Sequence, residues 1–507
     1  MTENHSQFND KVDALELLML RGEASAKTRS AMLSIALLDE VPNFAALRDT
    51  FEYASRQFIR LRQHVVLPAL GLGSARWVID PDFNLDFHLR RISAPSPGQL
   101  RDILDIASHI LQSPMDTQRP LWEVFLIEGI NDGNAKAALI IKMHHAVSDG
   151  MGGLLLLKLL FNSSREQINR ELLPQPIPED VNSLTLSRRG LNRALGDALP
   201  AINRLIRSGT AHTKDLLQHP TKYIENLRQQ FESAQRILSN SDCHPSPLLM
   251  RRSLDRQLDV LEYPLDDLKH CAKHFNASVN DIYIAAIAGG LQRYHNALDC
   301  EHEALPLAMP VSLRRANNAN GGNHFAAARI NLPLTECDPK RRIAQIQHQV
   351  SSAIAEPAIN IMNHIAPLLV HLPTIALNEL GDLASHLDVQ ASNVPGLRET
   401  AYIGGSKILK LYPFGPLPGI PLMLVMMSHD GACYLGSHCD TAAVANPELL
   451  MRCLNDEFNE LIDASKAPTR RAKTPRKSTV KAATQRKAVA RTKATKLDTA
   501  TVKGTQA

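Results

Sequence analysis

An apolar run at residues 137–141 leads directly into MHHAVSDG at residues 143–150, and two glycines and four leucines follow at residues 152–157. The run predicts a strand and the leucines predict a helix, which puts two histidines and an aspartate in a strand-to-helix turn. Neighbouring side chains diverge on a strand and on a helix. We therefore expect one histidine ring to face a cleft and the other to pack inward. Three glycines allow a tight turn and a close approach of backbone or ligand: Gly150, Gly152 and Gly153.

The residue types in this turn suit removal of a proton from a hydroxyl group. Histidine has an ordinary pKa of roughly 6.5, so it is the natural general base near neutral pH. Asp149 is suited either to orient a histidine or to hold the turn by pairing with an arginine. Two alternatives stay open at this point. One is a purely structural histidine, and the other is a zinc site, for which adjacent strand residues such as His144 and His145 are awkwardly placed.

The sequence lacks the motifs of several other enzyme classes. It contains no GxSxG, GxxxxGK[ST] or GxGxxG motif. This excludes the simplest serine hydrolases, P-loop nucleoside triphosphatases and dinucleotide-dependent enzymes. The seven cysteines form no CxxC pair, so we expect reduced thiols. None of them lies near the histidines in sequence, so we do not expect a thiol nucleophile. A base that acts directly on the acceptor is the simpler proposal.

The 507 residues exceed the length at which one hydrophobic core stops growing, so two domains are expected. Strand and helix patterns alternate in residues 1–175 and again in residues 248–465, which predicts an α/β fold with mixed sheets covered by helices. Residues 176–247 resemble a helical connector between proline-marked ends. Asn43 is a candidate N-cap for a helix that follows it. Strands are predicted at residues 32–40, 76–79, 122–128, 135–143, 258–264, 307–312, 326–332, 422–429 and 433–438.

The charge of the chain is concentrated at its C-terminal end. Residues 466–507 carry 13 Lys/Arg against the single acid Asp498, a net +12, which leaves −8 for the rest of a chain whose total is +4. This segment has almost no large apolar residues, so we predict that it is disordered. An extended basic tail attracts an anionic membrane or nucleic acid. The N-terminal residues do not form a secretory signal, and no apolar run is long enough to predict a transmembrane helix.

Several motifs together resemble one enzyme family. His144-His145-Ala146-Val147-Ser148-Asp149-Gly150 matches HHxxxDG, and three further elements match in order: Pro120-Leu121-Trp122, Asn280-Asp281 and Asn393-Val394-Pro395-Gly396. The family is the bacterial wax ester synthase/acyl-CoA:diacylglycerol acyltransferases, and the resemblance spans residues 10–460. Leu397 stands where the family has a further proline.

The resemblance implies two chloramphenicol-acetyltransferase-like domains with a tunnel between them for acyl-CoA and an acceptor, either diacylglycerol or a fatty alcohol. It implies that His145 is the general base, that Asp149 is mainly structural, and that no metal, cofactor or acyl-enzyme is required besides the substrate acyl-CoA. For such a lipid enzyme we expect a cytoplasmic protein that contacts the inner face of the membrane, or lipid droplets, peripherally.

Other residues keep two interpretations. Asn280 is a candidate donor to the developing oxyanion, and equally a candidate N-cap. Asp281 favours the first turn of a helix in either case, and Trp122 is expected to pack in the core. Residues 412–419, YPFGPLPG, form either a tunnel wall or rigid turns. Candidate partners for the CoA phosphates, none supported by a motif, are Arg314, Arg315 and Lys407.

Three other functions compete with the preferred one. His144 and Asp149 also fit the HxxxxD spacing of glycerol-phosphate-type acyltransferases, in which the first histidine is the base. A condensation-type enzyme would use an amine acceptor or a carrier-bound acyl group. A binding protein would act through the tail, residues 466–507, on DNA or another anionic surface.

Overall fold

Two six-stranded sheets form the framework of the protein. The computed structural model describes residues 10–69, 74–148, 150–166, 170–178, 181–188, 243–312, 325–355 and 387–466, with residues 192, 366 and 370. These residues lie in one compact unit, residues 1–466. The predicted tail, apart from Lys466, and most of the predicted connector lie outside the described residues.

The first sheet has the order β11-β12-β1-β6-β5-β4. Its strands are β1 (Ala31–Leu38), β4 (Leu89–Ser93), β5 (Trp122–Asp132), β6 (Ala135–His144), β11 (Tyr402–Ile403) and β12 (Ser406–Phe414). β6 is antiparallel to both β1 and β5, and all of its residues except Lys136 are buried. A strand covered on both faces needs apolar side chains throughout, which explains the apolar run before the histidines.

The second sheet has the order β7-β14-β13-β10-β8-β9. Its strands are β7 (Arg256–Pro264), β8 (Ala304–Ser312), β9 (Phe325–Pro333), β10 (Val389–Leu397), β13 (Leu422–His429) and β14 (Ala432–Asp440). β10 is parallel to β13 and to β8, whereas the other pairs in this sheet are antiparallel. Two further antiparallel strands, β2 (Gln63–Val66) and β3 (Arg76–Ile79), pair with each other and lie between β1 and β4 in the sequence.

Helices supply the rest of the two cores. They are α1 (Ala14–Gly22), α2 (Phe44–Gln57), α3 (Leu85–His88), α4 (Leu100–Gln112), α5 (Gly150–Leu160), α6 (Leu265–His274), α7 (Val279–Ala297), α8 (Pro339–Ala355) and α9 (Pro447–Lys466). α2 begins after Asn43, whose side chain accepts the Ala46 N–H at 3.0 Å, so the predicted N-cap is confirmed. α4 contacts β1 and β6 of the first sheet and also β7 of the second, so this helix packs against both sheets. None of the described helices is long and apolar enough to cross a bilayer.

β12 joins the first sheet although it lies far along the chain. It pairs antiparallel with β1, with Leu33 opposite Phe414, and it also contacts β13 and β14 of the second sheet. The prediction of a loop for residues 412–419 was therefore wrong at its start, because residues 412–414 are the buried end of a strand. The first sheet thus contains residues from both predicted domains, 1–175 and 248–465.

The contact between β12 and β14 depends on a missing side chain. A Cβ atom on Gly436 of β14 would lie 1.8 Å from the carbonyl oxygen of Pro413 on β12. That distance is far inside van der Waals contact with backbone, which cannot swing aside as a flexible side chain can. Gly436 therefore permits the close approach of the two sheets.

We expect Gly436→Ala to lower the thermal unfolding midpoint, because β12 must shift to make room for the methyl group. Overpacking of this kind costs about 1–3 kcal/mol. Gly153→Ala is the control, since a Cβ atom on Gly153 of α5 would meet no atom within 4 Å. Calorimetry should show an unchanged or higher midpoint for the control, because alanine is favoured over glycine in a helix. Equal midpoints for Gly436→Ala and the wild type would contradict this account of the crossing.

Candidate active site

Backbone hydrogen bonds hold the histidine turn from both of its neighbouring strands. The His144 N–H donates to Leu121 O at 3.0 Å, and the His145 N–H donates to Ser30 O at 2.9 Å. The Val147 N–H then closes the turn on the His144 carbonyl at 3.0 Å. The backbone of the two histidines at the end of β6 is therefore fixed by hydrogen bonds to the residues just before β1 and just before β5.

His144 packs inward. Its side chain is fully buried, and its Nδ1 atom accepts the Ala146 N–H at 3.1 Å. Because Nδ1 accepts, the proton of the neutral ring lies on Nε2, which faces a carboxylate oxygen of Glu23 at 3.6 Å. Burial, and to a smaller extent His145 and Lys142, lower the pKa of His144 from 6.5 to about 3. This ring is therefore neutral at physiological pH.

His145 is only partly buried, at the start of the turn. The two rings thus have the different environments that the sequence predicts for adjacent residues. Asp149 lies outside the described residues, and its structural role stays a prediction. Gly150, Gly152 and Gly153 lie within α5 rather than in the turn. Among the described residues no protein atom lies within 4 Å of a Cβ position on Gly153, so the close approach of a ligand there stays a prediction.

Buried charged side chains lie near His144. Lys142 of β6 is fully buried, and its ammonium group donates to the Ser113 carbonyl at 2.7 Å and hydroxyl at 2.9 Å. Burial lowers the pKa of Lys142 and raises the pKa of Glu23. Sequence reasoning missed both residues. Lys142 gave a signal, as the charged residue just before the motif in an apolar strand, whereas Glu23 gave none.

Trp122 is a core residue, as predicted. Its ring stacks on His88 with centroids 4.4 Å apart, and its indole N–H donates to Leu61 O at 2.8 Å. The His88 Nδ1–H donates to the Trp122 carbonyl at 2.7 Å. The Pro-Leu-Trp element therefore anchors the start of β5, next to the strand that carries the histidines.

The other two matched elements meet each other. Asn393, on β10, donates through its side-chain amide to the Asn280 side-chain oxygen at 3.5 Å, and the Asn280 amide donates to the Met309 sulfur at 3.4 Å. Asn280 is not an N-cap, because the Ser278 hydroxyl takes that position and accepts the Asp281 N–H at 3.1 Å. Asp281 lies in the first turn as predicted, and its carboxylate accepts the Ser278 N–H at 2.8 Å.

Gly396 explains why the Asn-Val-Pro-Gly element ends in glycine. A Cβ atom there would lie 1.7 Å from the Ser428 carbonyl on the neighbouring strand β13. The register between β10 and β13 shifts after Val394, and Leu397 then pairs with His429. Leu397, which stands in the place of the family's proline, therefore continues the strand.

The histidine turn and these asparagines lie on elements that touch. α5, which follows the turn directly, contacts β10, which carries Asn393. A cavity of about 230 Å³ also lies between the two halves, lined from one by Arg29 and Ala31 and from the other by Arg256 and His438. Ala31 is the partner of His144 in the β1–β6 ladder. The contact between α5 and β10 therefore places the histidine turn and the Asn280–Asn393 pair on neighbouring elements, whereas, among the residues that the structure describes, none from a matched motif lines the cavity.

The candidates for phosphate contact gain no further support. Arg314 and Arg315 lie outside the described residues. Lys407, at the start of β12, has its ammonium group 3.4 Å from the Asp430 carboxylate. A contact between Lys407 and CoA stays a prediction.

Comparison with known families agrees with the arrangement of these motifs. The family model of the wax ester synthase/diacylglycerol acyltransferase catalytic domain matches residues 6–283, and that of the C-terminal domain of the same family matches residues 321–462. The chain belongs to this family. It is therefore an acyltransferase, as the motifs predict.

Individual relatives agree with this assignment. A Mycobacterium tuberculosis protein with the name "Putative diacyglycerol O-acyltransferase" is 40% identical over 470 residues, covering 92% of this chain and 94% of its own. The wax ester synthase/diacylglycerol acyltransferase structure from Marinobacter aquaeolei VT8 superposes with a TM-score of 0.62 at 19% identity, covering 90% of this chain and 100% of its own.

The first condensation domain of the calcium-dependent antibiotic synthetase gives a TM-score of 0.58 at 15% identity, covering 90% of this chain and 97% of its own. At this level of identity the two structural matches speak only for the fold. They confirm the predicted α/β architecture.

We expect His144 to stay neutral, with its proton on Nε2, as the pH falls from 7 to 5. The reason is that its pKa lies near 3, so the neutral form persists well below the ordinary value of 6.5. Nitrogen NMR of histidine-labelled protein measures this, and the His144→Gln spectrum identifies the signal. A His144 resonance that titrates with a midpoint near 6.5 would show that the ring is solvated.

Proposed function

We propose that this acyltransferase moves a fatty acyl group from acyl-CoA to the hydroxyl group of a diacylglycerol or a long-chain alcohol, with His145 as general base. The product is a triacylglycerol or a wax ester. Family membership supports the donor and acceptor classes. The observation that supports the base is the contrast in the turn, where His145 is partly exposed on a fixed backbone and His144 is sealed behind it.

The reaction needs one proton to move twice. The His145 imidazole takes the proton of the acceptor hydroxyl as the oxygen attacks the thioester carbonyl carbon. The tetrahedral intermediate then collapses, the carbon–sulfur bond breaks, and the imidazolium returns the proton to the departing CoA sulfur. In this proposal neither a metal nor a covalent acyl-enzyme takes part.

Asn280 is the proposed donor to the oxyanion of that intermediate. Its side-chain oxygen accepts from Asn393, whereas its NH2 group donates, among the described partners, only to the thioether sulfur of Met309 at 3.4 Å, and sulfur is a weak acceptor. An amide held this weakly is available for a stronger acceptor, such as a negatively charged oxygen. The neighbouring Asp281 is engaged in the capping box, so we assign it to the helix end rather than to substrate.

The alternative in which His144 is the base has less support. Its ring is fully buried, and one nitrogen is occupied by the Ala146 N–H. A histidine with a pKa near 3 also accepts a proton poorly at neutral pH. The HxxxxD interpretation would need this ring to become exposed during the reaction.

We expect His145→Ala to lower kcat for CoA release by about 100-fold or more, the scale for loss of a general base. The assay uses palmitoyl-CoA with hexadecanol or with a diacylglycerol. His144→Ala should retain much more activity, and His109→Ala, which removes an exposed histidine from α4, should match the wild type. A wild-type enzyme that turns over neither acceptor would contradict the proposed function. A dead His144→Ala beside an active His145→Ala would assign the base to His144.

We further propose that the basic segment after α9 holds the enzyme on an anionic membrane or lipid-droplet surface, which is where its lipid substrates would lie. The support is its charge, since residues 466–507 carry +12 on a body of −8. A basic residue near an anionic surface contributes about 1 kcal/mol, so even a few contacts suffice for reversible binding.

Truncation after Lys466 should abolish salt-sensitive binding to phosphatidylserine-containing vesicles and leave turnover of detergent-dispersed substrate unchanged. Lys466 is kept because it ends α9 and lies 3.0 Å from Asp267. Vesicle co-sedimentation at low and high salt measures the effect. Unchanged vesicle binding after truncation, or binding of the full chain to duplex DNA in preference to vesicles, would contradict the membrane proposal.

A further inference from the structure

Two buried polar atoms face each other behind the proposed base. The Glu23 carboxylate oxygen Oε2 lies 3.6 Å from His144 Nε2, and both side chains are almost completely excluded from solvent. Within the part of the chain that the structure describes, neither atom has a hydrogen-bond partner. Buried polar groups are seldom left unpaired, so two such atoms in this position point to a shared role.

We propose that Glu23 is a positioning residue for the acyl transfer, which fixes the ring of His144 and through it the turn that presents His145. The inference rests on the proposed function of His145. Glu23 lies at the C-terminal end of α1, more than a hundred residues before the motif, and no feature of the sequence connects the two.

The Glu23 carboxylate is itself held in place by its other oxygen. Oε1 accepts the Met115 N–H at 3.4 Å and lies 3.7 Å from the Arg29 guanidinium. Arg29 in turn donates to Gln112 O at 2.7 Å, at the end of α4. Oε1 is thus directed to Met115, just after α4, and to Arg29, and the Ser30 backbone also hydrogen-bonds to the carboxylate. Oε2 is the oxygen that faces His144.

The direction of the His144 ring makes this contact specific. Because Nδ1 accepts the Ala146 N–H, Nε2–H is the only polar hydrogen on the neutral ring. The charged acceptor opposite it is Glu23. A slight contraction of the 3.6 Å separation gives a charge-assisted hydrogen bond, and such bonds often tighten only in the reacting complex. Loss of the carboxylate would let the ring turn over and release the Ala146 N–H.

A purely structural role is the competing explanation, in which Glu23 only joins α1 to Arg29. The two explanations differ in how Glu23 and His144 depend on each other. If Glu23 acts through His144, the effect of changing Glu23 disappears once the His144 ring is gone. If Glu23 acts through Arg29, the effects of the two substitutions on the activation free energy add, so their effects on kcat multiply.

The experiment compares kcat, the KM for palmitoyl-CoA and the thermal midpoint for Glu23→Gln, His144→Ala and the double variant. We expect Glu23→Gln to lower kcat roughly 10-fold with little change in KM, at the lower end of the scale known for partners that orient metal-bound histidines. The same change in the His144→Ala background should have no further effect on kcat. Glu16→Gln is the matched control, because it neutralises another buried carboxylate, on α1, that contacts Trp77.

Two conservative variants at His144 separate the contacts of its ring. Glutamine places its amide nitrogen near the position of Nε2 and can donate to Glu23, whereas asparagine reaches only the position of Nδ1. We expect His144→Gln to retain more kcat than His144→Asn, and this difference should vanish in the Glu23→Gln background.

The outcomes distinguish this inference from the function on which it rests. Glu23→Gln with wild-type kcat, or effects of Glu23→Gln and His144→Ala on kcat that multiply, would overturn the role of Glu23 while leaving acyl transfer intact. A loss that appears only in the thermal midpoint would assign Glu23 to structure alone. A wild-type enzyme that releases no CoA in the same assay would instead overturn the proposed function.

Discussion

The pairing of β1 with two strands at once is the constraint on which the rest of the structure depends. On one side β1 pairs with β6, which places Ala31 opposite His144, and on the other it pairs with β12. The first pairing fixes where the histidine turn begins, since the His145 N–H also bonds to Ser30 just before β1. The second brings a strand from the far end of the chain against the second sheet. β1 therefore sets both the turn and the junction of the two halves.

Much of this arrangement could be predicted from local sequence. The strand before the histidines, the Asn43 cap and the core position of Trp122 all follow from side-chain periodicity or from short-range hydrogen bonding. Non-local contacts were not predictable in this way. The β12 pairing depends on a neighbour hundreds of residues away, and its Pro-Phe-Gly-Pro end is typical of a turn. Of the two interpretations of Asn280, the N-cap was wrong for a more local reason, because Ser278 two residues earlier offers a hydroxyl in a better position.

Several charged side chains near the histidines are largely or fully buried. Glu23, Lys142 and the fully buried His144 lie close together, and Arg29 and Glu123 complete the set. Charges in such surroundings persist only when they face partners of opposite sign or hydrogen-bond donors. These pairings fix the direction in which each side chain points. Each side chain has few alternative positions that keep its partner, so the backbone of the turn rests on a rigid support rather than on a mobile loop.

The crossing of β12 also dictates when the first sheet can be finished during synthesis. β6, which ends at His144, leaves the ribosome early. β12, which pairs with the other side of β1, ends at Phe414, about 270 residues later. At roughly 5–20 residues per second, the edge of β1 waits on the order of 15–50 s for its partner. An open apolar strand edge during that interval is a site for pairing with other chains. The nascent N-terminal half is therefore exposed to such pairing until β12 is made, and a chain that stops before residue 406 would lack the strand that covers this edge.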